Sequence, residues 1–329
     1  MMEMNPAIGE DGAAVSQGGS MNSSLLGPVL VTGTSSGIGF HLAGYLAERG
    51  IHVFGTVRKA ADAERLGCIG NVTPLLCDVT HPDEIADAVR AVTRAGRGLY
   101  GLVNNAGLGD LGMLSTWTDE EMLRIFDVNV LGPHRMVNAF LPLLLESKGR
   151  IVNIGSQGGM LSKPYYGPYT MTKHALESYT ETLRLELEPY GVLASIVQPG
   201  GIATGIGEAS LPSTIERFRR AVPPFREEAE QILEYLTSPN LEEASDEEAA
   251  ESETNRKPSS PEIVSAAVFA ALTTARPKLW YLVGTKWEGD RVIHALVEKL
   301  LDENDNPKHG YSREQLLKIL DGHLESRTR

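Results

Sequence analysis

The chain has only two cysteines in 329 residues, Cys68 and Cys77. That is too few for a disulfide framework, and Cys77 closes an apolar run in which a small buried thiol fits. A reducing compartment is the simpler expectation. No run of eighteen or more apolar residues occurs, which excludes an ordinary membrane-spanning helix. The first residues, "MMEMNPAIGEDGAAVSQGGSMNSS", lack the basic start and apolar core of a secretory leader. A soluble, cytoplasmic protein is expected. The eight histidines show no metal-ligand spacing, so no metal is expected. A basic excess is missing as well: the formal net charge is −13, which argues against nucleic-acid binding. The acidity is local, because Arg226 to Lys257 carries eleven acids against three bases.

What the chain does have is enough apolar sequence, 42% of its residues, to bury a substantial core. From Pro28 onward, apolar runs of strand length ("PVLVTG", "IHVFGTV", "VTPLLC", "GLVNNAG", "RIVNIGS", "VLASIVQPG", "KLWYLVG") alternate with stretches of 3.6-residue periodicity. Alternating β and α units with fully apolar strands imply an α/β fold: a doubly wound parallel sheet covered on both faces, of Rossmann type. One domain is expected over 27–284, after a Gly/Ser-rich disordered tail over 1–26. A charged, core-poor insertion at about 238–260 is expected to be a mobile loop. Two amphipathic helices are expected in a C-terminal extension over 285–329.

The first strand runs into "TGTSSGIG", Thr32 to Gly39, and then into a helical pattern. Glycines at a strand-to-helix turn let the backbone approach a pyrophosphate, whose charge the helix N-terminus favours. Gly33, Thr34, Ser35, Ser36, Gly37, Ile38 and Gly39 are therefore candidates for cofactor binding. Their G-x-x-x-G-x-G spacing departs from G-x-G-x-x-G, and on its own it is equally that of a tight turn. An acid about 20 residues on usually holds the adenosine ribose. Here the second strand ends in "TVRK", with apolar Val57 and basic Arg58. A guanidinium in that place suits a 2′-phosphate, so NADP(H) is favoured and NAD(H) is the alternative.

Three of the ten tyrosines crowd into "YYGPYTMTK", Tyr165 to Lys173. Pro168 is a natural first helical residue, and Gly167 before it is biased away from helix. A helix starting there stacks Tyr169 and Lys173, four apart, on one face. Tyr165 and Tyr166 lie outside it. A phenol titrates near about 10, and an adjacent positive charge pulls that value down, which makes Tyr169 the candidate general acid or base. An isolated Y-x-x-x-K is more often a surface pair, so the assignment depends on the rest of the chain. In "NVLGPHR", Pro133 cannot donate the helical hydrogen bond that the Asn129 carbonyl would accept. That carbonyl is left free to hold a water, or the proline merely kinks a helix.

In order along Pro28 to Gly284 stand "TGTSSGIG", "LCDVT", "NNAG", "DVNVLG", "NIGSQGG", "YTMTK" and "QPGGIAT", with Ser156 thirteen residues before Tyr169. This set resembles the short-chain dehydrogenase/reductases. The strand end "GTVRK", the clustered tyrosines and the long tail look most similar to the retinol and hydroxysteroid dehydrogenases. The resemblance implies that Tyr169 exchanges a proton with the substrate oxygen and that Ser156 hydrogen-bonds the same oxygen. It also implies that Lys173 binds the nicotinamide ribose and that Asn129 supports a water-linked relay. Asp78 and Val79 would border the adenine, Asn105, Ala106 and Gly107 the adenosine side, and Pro199, Gly200, Ile202 and Thr204 the nicotinamide. Each has a structural alternative: Asn105 to Gly107 can simply shape a strand end, and Ser156 can cap a turn. A homodimer through the helices of Asn129 and Tyr169 is likewise implied.

Between Thr204 and about Phe225, Ile206, Leu211, Ile215, Phe218, Val222 and Phe225 are expected to form a lid. With Leu108, Leu111, Met113, Met160 and Leu161 it would enclose an apolar pocket. The implied activity is hydride transfer between NADP(H) and a secondary alcohol or ketone of steroid, retinoid or lipid type. Two alternatives share these residues: a 3-oxoacyl thioester reductase, and a non-catalytic NADP(H)-binding regulator.

Overall fold

The computed structural model describes residues 27–237 and 258–328. The 1–26 tail and all but the last residues of the 238–260 insertion lie outside the described residues. Seven strands form one parallel sheet: β1 (Val29–Val31), β2 (Val53–Val57), β3 (Val72–Leu76), β4 (Gly101–Asn104), β5 (Arg150–Ile154), β6 (Leu193–Pro199) and β7 (Trp280–Val283). All seven fall in the apolar runs of the sequence. Their order is β3-β2-β1-β4-β5-β6-β7, so the winding reverses between β1 and β4.

Each strand feeds both faces, because successive side chains point to opposite sides. Val29, Val31, Val53, Val103 and Val152 face one core. Leu30, Phe54, Leu102 and Ile151 face the other. Helices α1 (Gly37–Glu48) and α2 (Ala60–Gly67) cover the first face. Helix α3 (Pro82–Arg94) lies on the second. Helix α4 (Asp119–Phe126) continues through a π-helical stretch, Asp127–Leu131, into α5 (Gly132–Ser147), which also packs on the second face with α6 (Gly167–Leu187).

The lid region contains α7 (Ile206–Arg219) and α8 (Arg226–Thr237). These pack around a small core of their own, Met113, Phe218, Ala221 and Ala229. Helix α9 (Glu262–Thr273) returns to the first face, against α1, where His41 Nδ1 and Ser265 Oγ are 2.8 Å apart. Two further helices, α10 (Lys286–Asn304) and α11 (Arg313–Thr328), follow the last strand as expected. Among the described residues no helix is long and apolar enough to cross a membrane.

Phe140 on α5 is fully buried in the second core. Phe140→Ala leaves a cavity there and is expected to cost about 3–5 kcal/mol, read as a lower denaturation midpoint.

Candidate active site

The crevice opens where β1 and β4 part. At this point the Thr32 hydroxyl accepts the Asn105 and Ala106 N–H groups at 2.9 and 3.0 Å. The Asn105 amide donates back to the carbonyls of Thr32 and Gly33 at 2.8 and 3.1 Å. The glycine turn is therefore tied to the end of β4. A Cβ on Gly39 would lie 2.3 Å from the Gly33 carbonyl oxygen and 2.4 Å from Asn105 Nδ2, so the turn closes only around a glycine. Ser36 occupies the N-cap of α1 without capping it through its side chain. The N-terminal amides of α1 are left for an anion, and a dinucleotide pyrophosphate fits this cradle.

Not every residue of the turn faces the crevice. Thr34 is fully buried, and its hydroxyl donates to the Thr56 carbonyl at 3.0 Å, so only its backbone lines the turn. Ile38 packs on the first core. Ser35 is half-buried and Ser36 exposed. Val57 is buried in the same core, while the Arg58 side chain is 69% exposed with Nη1 3.8 Å from Asp78 Oδ2. Burial alone would raise the Asp78 carboxyl, but hydrogen bonds from the Thr80 backbone and hydroxyl, with the Arg58 and His81 charges, hold it below its ordinary value. The Val79 side chain belongs to the second core, which leaves its backbone to border an adenine.

Ser156, Tyr169 and Lys173 come together as the sequence predicts. A Cβ on Gly158 would touch both Ser156 Oγ, at 3.3 Å, and Tyr169 Cε1, at 3.5 Å, so the hydroxyl and the ring border one point. The helix carrying Tyr169 starts one residue early, at Gly167, and Tyr165 and Tyr166 stay outside it. Tyr165 is held to Glu228 on α8 and stacks edge-on against Phe218. Lys173 Nζ lies 5.7 Å from the Tyr169 ring centroid and donates to the Ile154 carbonyl at 2.8 Å.

The expected lowering of the Tyr169 pKa is not found. Burial raises it, the Ser156 hydroxyl partly offsets this, and the neighbouring Tyr166 adds to the rise. The physical reason is that desolvation penalises the phenolate while the same burial pushes Lys173 itself down to about 8.

Asn129 is buried within a π-helical stretch, the form taken by the departure from α geometry that Pro133 announces. Its side chain accepts the Leu108 N–H at 2.8 Å and donates to the Leu108 carbonyl at 2.9 Å and to Thr172 Oγ1 at 3.0 Å. It thus clamps the loop after β4 to α6. Pro199 ends β6, and Gly200 donates to the Val283 carbonyl at 2.9 Å. Ile202 bridges to Ser259. Thr204 lies against Gly37, its Cβ 3.2 Å from where a glycine Cβ would stand.

The lid is anchored by buried charge. Arg217, 1% exposed, meets Asp110 at 3.4 Å and Glu121 at 3.2 Å and stacks 3.8 Å over Trp117. Arg220 adds a contact of 2.7 Å to Glu121. Of the expected pocket residues, Met113 and Phe218 are buried in the lid's own core, whereas Val222 and Phe225 are exposed. Leu108, Leu111, Met160, Leu161, Leu211 and Ile215 are half-buried. The Ile206 side chain lies outside the described residues.

Sequence reasoning missed Glu288 on α10, whose Oε1 accepts the Gly201 N–H at 2.6 Å beside the expected nicotinamide loop. It also missed Gln157, which donates to the Val283 carbonyl at 3.2 Å. Glu288 carries a local pattern only as the N3 acid of the Thr285 capping box, which does not announce its reach to Gly201, and nothing local marks Gln157.

A doubly wound sheet with a glycine cradle at its switch point, beside a converging hydroxyl, phenol and lysine, is an arrangement that fits a dinucleotide. The short chain dehydrogenase family profile matches residues 28–213, and the chain belongs to that family. It is 38% identical over 178 residues to 3-ketodihydrosphingosine reductase of Bacteroides thetaiotaomicron, covering 54% of this chain and 64% of that one. To mouse retinol dehydrogenase 5 it is 37% identical over 203 residues, 60% of this chain and 63% of the relative. Both matches span under two thirds of the relative's length. The mitochondrial D-beta-hydroxybutyrate dehydrogenase of Rattus norvegicus is 34% identical over 266 residues, 77% of this chain and 75% of its own. A short chain dehydrogenase from Burkholderia cenocepacia, solved in complex with NADP, superposes with a TM-score of 0.61 at 25% identity, over 86% of this chain and 99% of that one.

Gly39→Ala is expected to weaken nicotinamide-cofactor binding at least about tenfold, measured by fluorescence titration, because the added methyl meets backbone. Gly44→Ala, on the same helix with no atom within 4 Å, is the control. It should leave binding unchanged and stabilise the fold by roughly 0.5–1 kcal/mol.

Proposed function

We propose that the protein is an NADP(H)-dependent oxidoreductase that interconverts a secondary alcohol and a ketone on an apolar substrate of steroid, retinoid or lipid type. The observation that carries this reading is the convergence of Ser156 Oγ and the Tyr169 ring on one point beside the glycine cradle. When bound, the cofactor supplies or takes up the hydride.

In reduction the Tyr169 hydroxyl gives its proton to the carbonyl oxygen of the substrate, and in oxidation it takes that proton back. Its raised pKa keeps the phenol protonated at neutral pH, which suits the donor role. Ser156 hydrogen-bonds the same oxygen and fixes it against the phenol. Lys173, whose ammonium donates to the Ile154 carbonyl, would hold the ribose beside the nicotinamide. Asn129 secures the Leu108 loop against α6 and, through its carbonyl, a water that resupplies the proton.

Gly33, Gly37 and Gly39, with the backbones of Thr34, Ser35, Ser36 and Ile38, would cradle the pyrophosphate. Asp78, Val79 and Asn105 to Gly107 would flank the adenosine. Pro199, Gly200, Ile202 and Thr204 would flank the nicotinamide. Arg58, exposed just beyond β2 and 3.8 Å from Asp78, would meet a 2′-phosphate. The NADP held by the Burkholderia structure supports the cofactor, and the keto lipid and the retinol in the names of two relatives support an apolar alcohol or carbonyl substrate. The half-buried leucines and Met160 around the crevice offer such a substrate apolar contact with few polar anchors.

Tyr169→Phe is expected to lower turnover about 10²–10⁴-fold while NADPH binding stays within a few-fold, and Tyr165→Phe and Tyr166→Phe should retain most activity. The assay is loss of NADPH fluorescence over a panel of steroid, retinoid and acyl ketones. Equal damage from Tyr166→Phe would sink the assignment of the proton donor.

Cofactor choice is tested at Arg58 alone, since an acid at Val57 would be buried in the core. Arg58→Gln should reduce the NADPH-over-NADH preference in kcat/KM about ten- to hundredfold, the worth of one charge-assisted contact. A wild type that prefers NADH would overturn the NADP(H) assignment.

A further inference from the structure

The loop from Gly200 to Thr204, which would flank the nicotinamide, opens with two consecutive glycines, and a glycine pair sets no conformation by itself. Its shape is imposed by segments distant in sequence. The Gly200 N–H donates to the Val283 carbonyl at 2.9 Å, the Ser259 N–H to the Gly201 carbonyl at 2.8 Å, and the Ala203 N–H to the Ser259 carbonyl at 2.9 Å. These bonds run from backbone to backbone and ask nothing of the side chains. A further one does depend on a side chain: the Gly201 N–H donates to Glu288 Oε1 at 2.6 Å, across 87 positions of sequence.

Glu288 also has a task at the start of α10, where its Oε2 accepts the Thr285 N–H at 2.9 Å and the Thr285 hydroxyl accepts the Glu288 N–H at 3.3 Å. This capping box occupies one carboxylate oxygen, and a glutamine would serve it as well. The bond to Gly201 uses the other oxygen, and an amide has no second oxygen to offer. Room for the carboxylate comes from missing side chains. A Cβ on Gly200 would run into it, and one on Gly284 would stand 2.5 Å from Oε2 and 2.8 Å from Nε2 of Gln157, the residue after Ser156. The carboxylate thus sits at the joint between the Ser156 turn and the Gly200 loop, with a backbone N–H on each oxygen.

We propose that Glu288 is a positioning residue for the cofactor, its carboxylate holding the Gly200 to Thr204 loop in the shape that receives the nicotinamide half. The inference rests on the cofactor placement proposed above and adds the group that fixes one wall of it. A hydrogen bond from an N–H to a carboxylate is about twice as strong as a neutral one. Without it Gly201 regains freedom that binding of the nicotinamide must then remove, so cofactor affinity falls. The adenosine half, assigned to Asp78, Asn105 and Arg58, makes no use of this loop.

The test pairs two ligands, NADPH and adenosine 2′,5′-bisphosphate, which carries the adenosine and its 2′-phosphate but no nicotinamide. In Glu288→Ala the dissociation constant for NADPH, read by fluorescence titration, should rise about tenfold, and that for the bisphosphate, read by calorimetry, should stay within about twofold. Thr285→Ala removes the cap hydroxyl and leaves the Gly201 bond, so it should keep NADPH binding within about twofold while lowering the denaturation midpoint. Unchanged NADPH binding in folded Glu288→Ala overturns the proposal. An equal loss for both ligands does so too, as does a loss in Thr285→Ala as large as that in Glu288→Ala. If Glu288→Ala does not fold, Glu288→Asp decides: it keeps an acid in the first turn of the helix and withdraws the carboxylate from Gly201 by one methylene. NADPH should again bind more weakly, and unchanged affinity there overturns the proposal equally. A wild type that binds neither ligand would overturn the cofactor reading itself and the proposal with it, whereas the variant outcomes leave that reading standing.

Discussion

Where two adjacent parallel strands send their chains to opposite faces of a sheet, the N–H groups just beyond the ladder lose their partners. In this protein the Thr32 hydroxyl takes two of them, from Asn105 and Ala106, and the Asn105 amide closes the exchange onto Thr32 and Gly33. The rest of the crevice depends on that knot. It sets the distance between the glycine turn and the end of β4, and with it the space under Gly39. Just beyond Ala106, at Leu108, the chain enters the Asn129 clamp, which reaches α6 through Thr172.

The parts legible in the sequence are those in which a local rule and the global fold agree. Seven apolar runs became seven strands, the central ones because strands buried on both faces have no polar side to hide. Pro168 marked the start of the helix that places Tyr169 and Lys173, and Pro133 marked a departure from ideal α geometry that takes the form of a π-helical stretch at Asn129. Side-chain direction at strand ends was not legible. Val57 and Arg58 are adjacent and point to opposite environments, and Thr34 turns inward onto Thr56. Contacts across the whole chain escaped as well, since nothing near Gly201 in sequence announces Glu288. The direction of the Tyr169 shift was missed because spacing reports the neighbouring charge and not the depth at which both groups sit.

The α7–α8 segment is built differently from the sheet. Its apolar core is small, and a buried guanidinium makes the connection to the loop after β4: Arg217 bridges Asp110, Glu121 and the Leu111 carbonyl. Charge–charge contacts at such depth are directional, so the lid has a defined seat without a large apolar interface. The residues bordering the crevice can then differ in size without disturbing the two sheet cores, which separates the shape of the substrate site from the stability of the fold.

Helix α9 is synthesised long after the helix it covers. It packs on the inner face of α1, which carries the glycine cradle, and His41 meets Ser265 there across 224 positions of sequence. In the same region the Tyr100 hydroxyl reaches the Leu272 carbonyl across a separation of 172. On the ribosome, chain growth at about 5–20 residues per second leaves that face open for on the order of ten to forty-five seconds. Leu42 and Leu46, fully buried at the end, spend this interval without the helix that shields them. That face of α1 is thus among the last parts of the first core to close.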